Sequence, residues 1–558
     1  MHQSFEGLRQ PAFRRRAHSS VPFDLPLRAG NRTLVVLLLA ACACLRLLLV
    51  RSLSINSDEP QHAHVAWAWS KGLVPYRDVF DNHMPLFHML TAPLLRVIGE
   101  TPDAMTWLRL AMVPLSVLAL WLAWRIARLL WDGRIAAWTV VLTALCPLYL
   151  RAAGEFRTDV LWGVAWLGAT AVAVGGRWTP RRAWGVGLAV GVAFAVSLKS
   201  MLLVAGAAAA WVAIQACIAP TGRPALRRVA ADVLRIGVGA CVVPAVVIAI
   251  VAAKGGLAAM HYGVLTHNML PGLGNATVAT RLPRLLGLGI MFAAALRPLR
   301  SATDSAREAR RAFIVASAAC YGLLLLGGWP LLTPQDSLPV APLLVMGLVG
   351  WWFRAPLPPR LTVAVPCAVA VLGIGAAFLR HDALEDRTAG FRSTLATVLS
   401  ITTDRDPVLD DKGSAIFRQR PYYLALETIT LERLRRGMLV DDIARRLVSS
   451  DTHVIWSRRL PMRDRPFVAS HYLPLGPDLH VAGVDLGWLP AGARRNVDVL
   501  LPGAYALLSR GAHATLDGVA YATPRLLHAG PHTIAATQPG HYLLVWAPAA
   551  SRFAVAAP

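Results

Sequence analysis

Apolar residues run in long blocks through roughly the first two thirds of this chain, and after about residue 378 give way to short runs of ordinary polarity. A helix needs about 20 mostly apolar residues to cross the hydrocarbon core of a bilayer. Blocks of that kind lie at 33–50, 108–130, 135–150, 159–176, 184–198, 200–218, 236–253, 283–296, 312–328, 338–353 and 361–378, which predicts about eleven spans. The first block is long and others follow it, so it reads as a span and not as a cleaved leader. The remainder, 379–558, divides into two parts. In 405–475, "PVLDDKGSAIF" and "THVIWSRRL" read as strands and "LETITLERLRRGMLVDDIARRLV" as a helix. In 494–558, short apolar runs broken by Gly and Pro read as a β-sandwich. The expected architecture is an α-helical polytopic membrane protein with a C-terminal α/β plus β-sandwich-like domain.

Charge then orients the spans. The net charge is +24, only 16% of the 558 residues are charged, and only four of the 56 basic residues are lysines: Lys71, Lys199, Lys254 and Lys412. The arginines gather in the N-terminal arm 1–32 (Arg14, Arg15, Arg16, Arg28, Arg32) and in alternate short connections. Those connections carry Arg128 and Arg134; Arg177, Arg181 and Arg182; Arg223, Arg227 and Arg228; Arg297, Arg300, Arg310 and Arg311; and Arg354 and Arg360. Loops so enriched face the cytoplasm. The segments 51–107, 151–158, 254–282 and 329–337, the turn at Lys199 and the domain 379–558 then lie outside. Arg-, Ala- and Leu-heavy composition is typical of bacteria with GC-rich genomes and places the chain in a bacterial inner membrane, with its C-terminal domain periplasmic. No basic stripe interleaved with aromatics marks a nucleic-acid surface. The seven cysteines all lie in apolar segments and imply no disulfide framework.

Chemistry concentrates in the first outer loop, "SINSDEPQHAHVAWAWSKGLVPYRDVFDNHMPLFHML". Ser57 is placed to cap a short helix with Asp58 and Glu59 in its first turn and Gly72 at its end. Val65, Trp67 and Trp69 would let that helix lie at the membrane interface. Taken alone, two carboxylates at a helix N-terminus are favourable dipole partners and nothing more.

An outer loop that follows the first span and opens on Asp58-Glu59 resembles the GT-C membrane glycosyltransferases, in particular the branch of protein O-mannosyltransferases and lipid A aminoarabinose transferases. "PYRDVFDNHMPL" resembles the "PY-D-F-x-KPP" stretch of that branch, "RAAGEFRTDVLWG" at 151–163 its "R-T-D" element, and "LTPQDSLPVAPLL" at 332–344 its late polar-to-proline segment. The likeness covers the membrane part, 33–378. One departure stands out: His83-Met84-Pro85 occupies the place of Lys-Pro-Pro, whose lysine is thought to hold the donor phosphate.

The resemblance implies an inverting transfer of a sugar from a polyprenyl-phosphate donor to an extracytoplasmic lipid, glycan or protein. Asp58 is then the general base, and Glu59 orients the acceptor or tunes Asp58. Candidate substrate contacts are Arg77, Asp78, His83, Arg157, Asp159, Lys199, His267 and Gln335. For several of these a plainer role is on the page as well: a local Arg77–Asp78 pair, a structural Arg157–Asp159 pair, and a Lys199 that snorkels to the interface. His261 and His267 lack the spacing of a helical zinc pair, so no cofactor is expected, although some GT-C relatives with oligosaccharide donors use a divalent ion. Two further readings compete. One is a transporter or flippase of lipid-linked sugars, which would favour duplicated halves that are not seen; the other is an inactive envelope scaffold.

Overall fold

A computed structural model describes residues 29–218, 226–274, 276–300, 305–381, 384–509, 511 and 513–553. Arg14, Arg15, Arg16 and Arg28 of the basic arm, and Arg223, lie outside the described residues. Among the described residues, fifteen α-helices precede the C-terminal domain: α1 (Ala29–Ser52), α2 (Asp58–Ser70), α3 (Leu86–Ile98), α4 (Ala104–Leu130), α5 (Gly133–Leu145), α6 (Pro147–Ala152), α7 (Thr158–Val174), α8 (Pro180–Val196), α9 (Ser200–Cys217), α10 (Leu226–Ala253), α11 (Leu257–His261), α12 (Val278–Leu296), α13 (Ser305–Gly328), α14 (Ala341–Trp352) and α15 (Pro359–His381). Ten of the eleven apolar blocks each coincide with one helix, α1, α4, α7 to α10 and α12 to α15, whereas 135–150 is divided at Cys146 between α5 and α6. Among the described residues, seven helices are long and apolar enough to cross a membrane by themselves, and α5, α7 and α14 are shorter apolar helices. This is a multi-pass membrane protein.

Packing follows from small and large residues. α8 lies along α10, α9 along α13, and α7 against α4 and α8. At the α8–α10 crossing a Cβ on Gly187 would come within 2.5 Å of the Ile236 carbonyl oxygen, so only glycine allows this approach. The outer flank of α10 leaves Val233, Leu234, Val242, Val246 and Ile250 uncovered, as hydrocarbon-facing positions should be.

The ends of the bundle differ in chemistry. α4 starts beside α2, where Arg109 meets Glu59, and finishes at Leu130, whose carbonyl accepts from Arg311 Nε at 2.7 Å. Near that finishing end, Arg310 donates to Val174 O and Arg354 to Glu308, so arginines from several connections are gathered there. The end where α4 starts gathers 51–107, 151–158, 254–282 and 329–337 with the C-terminal domain.

In that domain a seven-stranded sheet runs β1 (Val408–Asp410), β2 (Val454–Trp456), β4 (Leu479–Leu489), β11 (Gly540–Trp546), β6 (Gly503–Leu508), β9 (Arg525–Leu527), with β3 (Tyr472–Pro474) also on β4. Only β1–β2 is parallel among its pairs. A four-stranded sheet, β5 (Arg494–Val499), β10 (Gly530–Ala536), β7 (Ala514–Leu516), β8 (Val519–Ala520), accompanies it. One sheet therefore runs through both 405–475 and 494–558, because the eleven-residue β4 pairs with strands of each part. The helical run at 426–448 is broken into α17 (Thr428–Arg435) and α18 (Ile443–Ser449), after α16 (Ala389–Ile401) and before α19 (Arg465–His471). Gly437, at φ 70°, makes the break in a conformation glycine adopts freely.

Candidate active site

The start of α2 is not capped as the sequence predicts. Ser57 is itself helical in backbone and its hydroxyl caps nothing. Asn56 does the work instead: its Oδ1 accepts from Asp58 N at 3.1 Å, while its own N–H donates to Glu59 Oε1 at 2.9 Å. Nor does α2 lie on a membrane surface. Val65, Ala66 and Ala68 are fully buried and Trp67 nearly so, because α3, α4 and the C-terminal domain enclose the helix.

Successive helical residues diverge by about 100° around the axis, and this separates the two carboxylates. Glu59 points inward and is fully buried. Arg109 grips it with Nε on Oε2 at 2.7 Å and Nη2 on Oε1 at 2.6 Å, and Phe156 N donates to Oε2 at 3.0 Å. Arg109 Nη1 also donates to the Val50 and Leu53 carbonyls. The pair braces α1, α2, α4 and the 151–158 connection together. Glu59 therefore has no surface from which to orient an acceptor, and its place is structural support behind Asp58.

Asp58 points the other way and keeps 25% of its side chain exposed. Its Oδ2 accepts from Arg157 Nη1 and its Oδ1 from Lys412 Nζ. Burial opposes the charge on Asp58, but Arg157 and Lys412 outweigh it and hold the carboxyl well below the usual carboxylate range. Arg157 stands immediately before α7, with Nε on Asp159 Oδ2 at 3.0 Å and 3.9 Å from Glu155 Oε2. Glu155 Oε2 also receives Gln335 Nε2 at 2.6 Å and Asn56 Nδ2 at 3.3 Å. Burial and the neighbouring Glu59 push the Glu155 carboxyl up.

Lys412 comes from the loop after β1. Asp410 shapes that loop, its Oδ1 and Oδ2 accepting from Gly413 N at 2.6 Å and Ala415 N at 2.7 Å. Gly413 adopts φ 99°, and a Cβ there would sit 2.6 Å from His64 Cβ, so glycine alone lets the loop lie on α2. His64 Nδ1 meets Ile416 O at 2.9 Å just beyond.

The remaining candidates divide. Lys199 pairs with Asp336, the residue next to Gln335 in sequence, and its Nζ lies 5.5 Å over the Trp329 ring. Arg77 and Asp78 form the local pair, bonded at 2.7 and 3.0 Å, with Arg77 also on Lys254 O; none of these contacts involves Asp58. His83 contacts Asp81 through Nδ1 at 3.1 Å. His267 is buried against Glu427 at 2.8 Å, joining the 254–282 loop to the C-terminal domain. Between them, Tyr76 holds φ 73°, a strained value for a tyrosine, fixed by Tyr76 OH on His83 O at 2.6 Å and by Tyr423 OH on Tyr76 O. Among the described residues, no three His, Cys, Asp or Glu side chains converge as metal ligands.

Sequence reasoning missed Lys412, Glu155, Arg109 and Asn56. The scarcity of lysine drew attention to Lys199; the same signal applied to Lys412. Glu155 stands inside the stretch "RAAGEFRTD" but carries no spacing that marks it.

The crystal structure of ArnT from Cupriavidus metallidurans in the apo state superposes with a TM-score of 0.58 at 15% identity, over 81% of this chain and 98% of that one. The two share one fold. The same ArnT bound to undecaprenyl phosphate matches equally, with a TM-score of 0.58 at 14% identity over the same shares. Archaeal oligosaccharyltransferase AglB from Archaeoglobus fulgidus, in complex with an inhibitory peptide and a dolichol-phosphate, is a looser likeness, with a TM-score of 0.47 at 10% identity over 77% of this chain and 70% of that one. No family model and no curated protein sequence matches the chain. A helical polytopic architecture with a β-rich C-terminal region is common ground between the sequence reading and the structure.

Proposed function

We propose that this protein is an inverting glycosyltransferase of a bacterial inner membrane, taking a sugar from a polyprenyl-phosphate carrier and passing it to a hydroxyl on an extracytoplasmic lipid, glycan or protein. The observation that carries the reading is Asp58, partly exposed at one end of the bundle and held between Arg157 and Lys412. A carboxylate and two cations at one point are what the reaction requires. The ArnT neighbour bound to undecaprenyl phosphate supports a donor of this lipid class.

At rest the two cations suppress the basicity of Asp58. The donor phosphate competes for them, and as Arg157 and Lys412 turn to it, Asp58 regains basicity beside the acceptor hydroxyl. The acceptor oxygen bonds the anomeric carbon as the bond from that carbon to the phosphate oxygen breaks. The electron pair leaves with polyprenyl phosphate, whose added charge Arg157 and Lys412 neutralise. The hydroxyl proton goes to Asp58. In this reading Lys412 takes over the part that the lysine of Lys-Pro-Pro plays in the family the loop resembles.

Sugar transfer in proteoliposomes tests this, using synthetic polyprenyl-phosphate sugars with wild type and Asp58→Asn. Wild-type release of polyprenyl phosphate that collapses in the variant supports the reading. Equal turnover in both would leave Asp58 as an ion-pair partner only. No turnover in either, across a donor panel, would favour the transporter or scaffold.

A further inference from the structure

The C-terminal domain carries an apolar tip that the site around Asp58 does not use. Met438 and Val440, between α17 and α18, are 51% and 80% exposed, and Met462, just before α19, is 81% exposed. Arg463 binds Asp441, so the two turns lie side by side. One large apolar side chain in water is ordinary, but three gathered on one tip mark an interaction surface. Contacts with the bundle place the tip. Arg436 Nη1 donates to Pro271 O at 2.7 Å and Arg433 Nη2 to Met269 O at 3.1 Å, while Met438 N donates to Arg433 O at 2.9 Å. Tyr422 stands within electrostatic reach of Tyr262 and also of Asp442 and Arg463. The tip is therefore beside the 254–282 loop.

That loop begins and ends at the membrane surface, because it joins α10 to α12. α10 turns Val242, Val246 and Ile250 outward, and α12 turns Val278, Leu282, Leu286 and Ile290 outward at every fourth residue, as helices in contact with hydrocarbon do. The loop itself exposes Leu257, Leu265 and Met269. The apolar tip thus adjoins the lipid-facing flank of the bundle. Charge says which lipid it suits. The stretches 432–446 and 461–465 hold seven arginines, and six are exposed: Arg435, Arg436, Arg445, Arg446, Arg463 and Arg465. Their four carboxylates are not exposed. Glu432 lies under Arg435 and Arg436, Asp442 under Arg445 and Arg446, and Asp441 under Arg463, while Asp464 is buried. Each pair turns its guanidinium outward, so the tip is ringed by positive heads.

We infer that this tip docks on the bilayer leaflet at its own end of the bundle, with Met438, Val440 and Met462 dipping below the headgroups and the arginines resting on the phosphates of anionic phospholipids. Arginine suits both parts, because its apolar stem covers the flank of the tip while its head stays at the level of the phosphates. Unbranched methionine side chains adapt to a fluid surface without a fixed pocket. The C-terminal domain is then held twice, by the 254–282 loop through Arg433 and Arg436 and by the lipid through its tip. The inference stands on the fold and its surface and does not depend on the glycosyltransferase reading.

The test compares the full chain in nanodiscs of phosphatidylcholine alone and of phosphatidylcholine mixed with phosphatidylglycerol. Hydrogen peroxide, small and uncharged, is added, and sulfoxide formation at Met438 and Met462 is followed by mass spectrometry. One arginine near an anionic surface shifts a docking equilibrium about fivefold, so several together should slow oxidation of both methionines by about tenfold or more when phosphatidylglycerol is present. Arg435→Gln, Arg445→Gln and Arg465→Gln combined in one chain should restore the phosphatidylcholine rate. Glu432 and Asp442 each keep a second arginine in that variant, and Lys at the same three positions should retain the protection. Raised salt should weaken the protection of the wild type, a reading that needs no substitution. Equal rates in the two kinds of nanodisc overturn the inference. Equal and fast, they put the tip in water; equal and slow, they put it in lipid or against protein without regard to charge.

Discussion

Lys412 and Asp58 stand 354 positions apart and share an ion pair across the junction between the C-terminal domain and α2. Three groups thus meet from three places: Asp58 from the first loop, Arg157 from the start of α7, and Lys412 from the loop after β1. The C-terminal domain supplies a cation to the site in addition to covering it. Lys412→Met should lower kcat by about 10²–10³-fold, the usual cost of removing one donor that stabilises a developing anion. Lys412→Arg keeps the charge and should retain much of the rate. Turnover in proteoliposomes at saturating donor measures both, and equal losses in the two variants would show that shape, not charge, matters at this position.

Glu59 and Arg109 make a different prediction, because their pair is closed to solvent. Glu59→Gln leaves the buried guanidinium without its counter-charge and should destabilise the protein by about 3–5 kcal/mol. Combining it with Arg109→Leu should cost less than the sum of the single changes, since each removes the same interaction. Thermal unfolding in detergent gives the comparison. Additive losses would mean that the two side chains do not act as a pair.

These two carboxylates also mark the boundary of what the chain discloses. The eleven apolar blocks are legible because a bilayer demands a run of fixed length, and each block did become helical, 135–150 as two helices parted at Cys146. The division of labour between Asp58 and Glu59 is not legible: it depends on Arg109 and Phe156, distant positions brought to one face by packing. α2 reads as a helix at the membrane interface only while its partners are unknown; with a domain lying on it, Val65 and Trp67 are core. Lys412 lies in a stretch that reads as a plain strand, and its reach to Asp58 rests on the turn that Asp410 and Gly413 form. Arg77 and Asp78 show the converse, a motif-like pair whose local geometry satisfies itself.

Acid stability should report Asp58 and Asp81 directly. Both carboxyls are held below their ordinary range in the folded protein, against burial: Asp58 by Arg157 and Lys412, Asp81 by His88 and His83. A carboxyl so lowered stabilises the fold at every pH above its unfolded value, about 3.9. That contribution is lost as pH falls through the lower, folded value. Tm should therefore vary little on account of these two groups between about pH 5 and 8, and drop steeply below about pH 4. Asp58→Asn and Asp81→Asn should each flatten the drop. A steep Tm change near neutral pH that either substitution abolishes would contradict the assignment.

Docking of the C-terminal domain should govern turnover through Lys412. Arg433 Nη2 donates to the carbonyls of Thr266, His267 and Met269 at 2.8–3.1 Å, and Glu427 holds His267 beside it. On the other flank Arg418 Nη1 reaches Glu100 at 2.7 Å. Arg433→Ala removes a buried side chain that holds three carbonyls of the 254–282 loop at once. Losing hydrogen bonds to a charged donor costs about 2 kcal/mol, and the junction should open roughly thirtyfold more often. Limited proteolysis in the connection after α15 should speed up accordingly, and kcat should fall in step, because an undocked domain carries Lys412 away from Asp58. Adding Lys412→Met to Arg433→Ala should then lower kcat little further than Lys412→Met alone. Faster proteolysis with unchanged kcat would separate docking from catalysis and return Lys412 to the role of a structural latch.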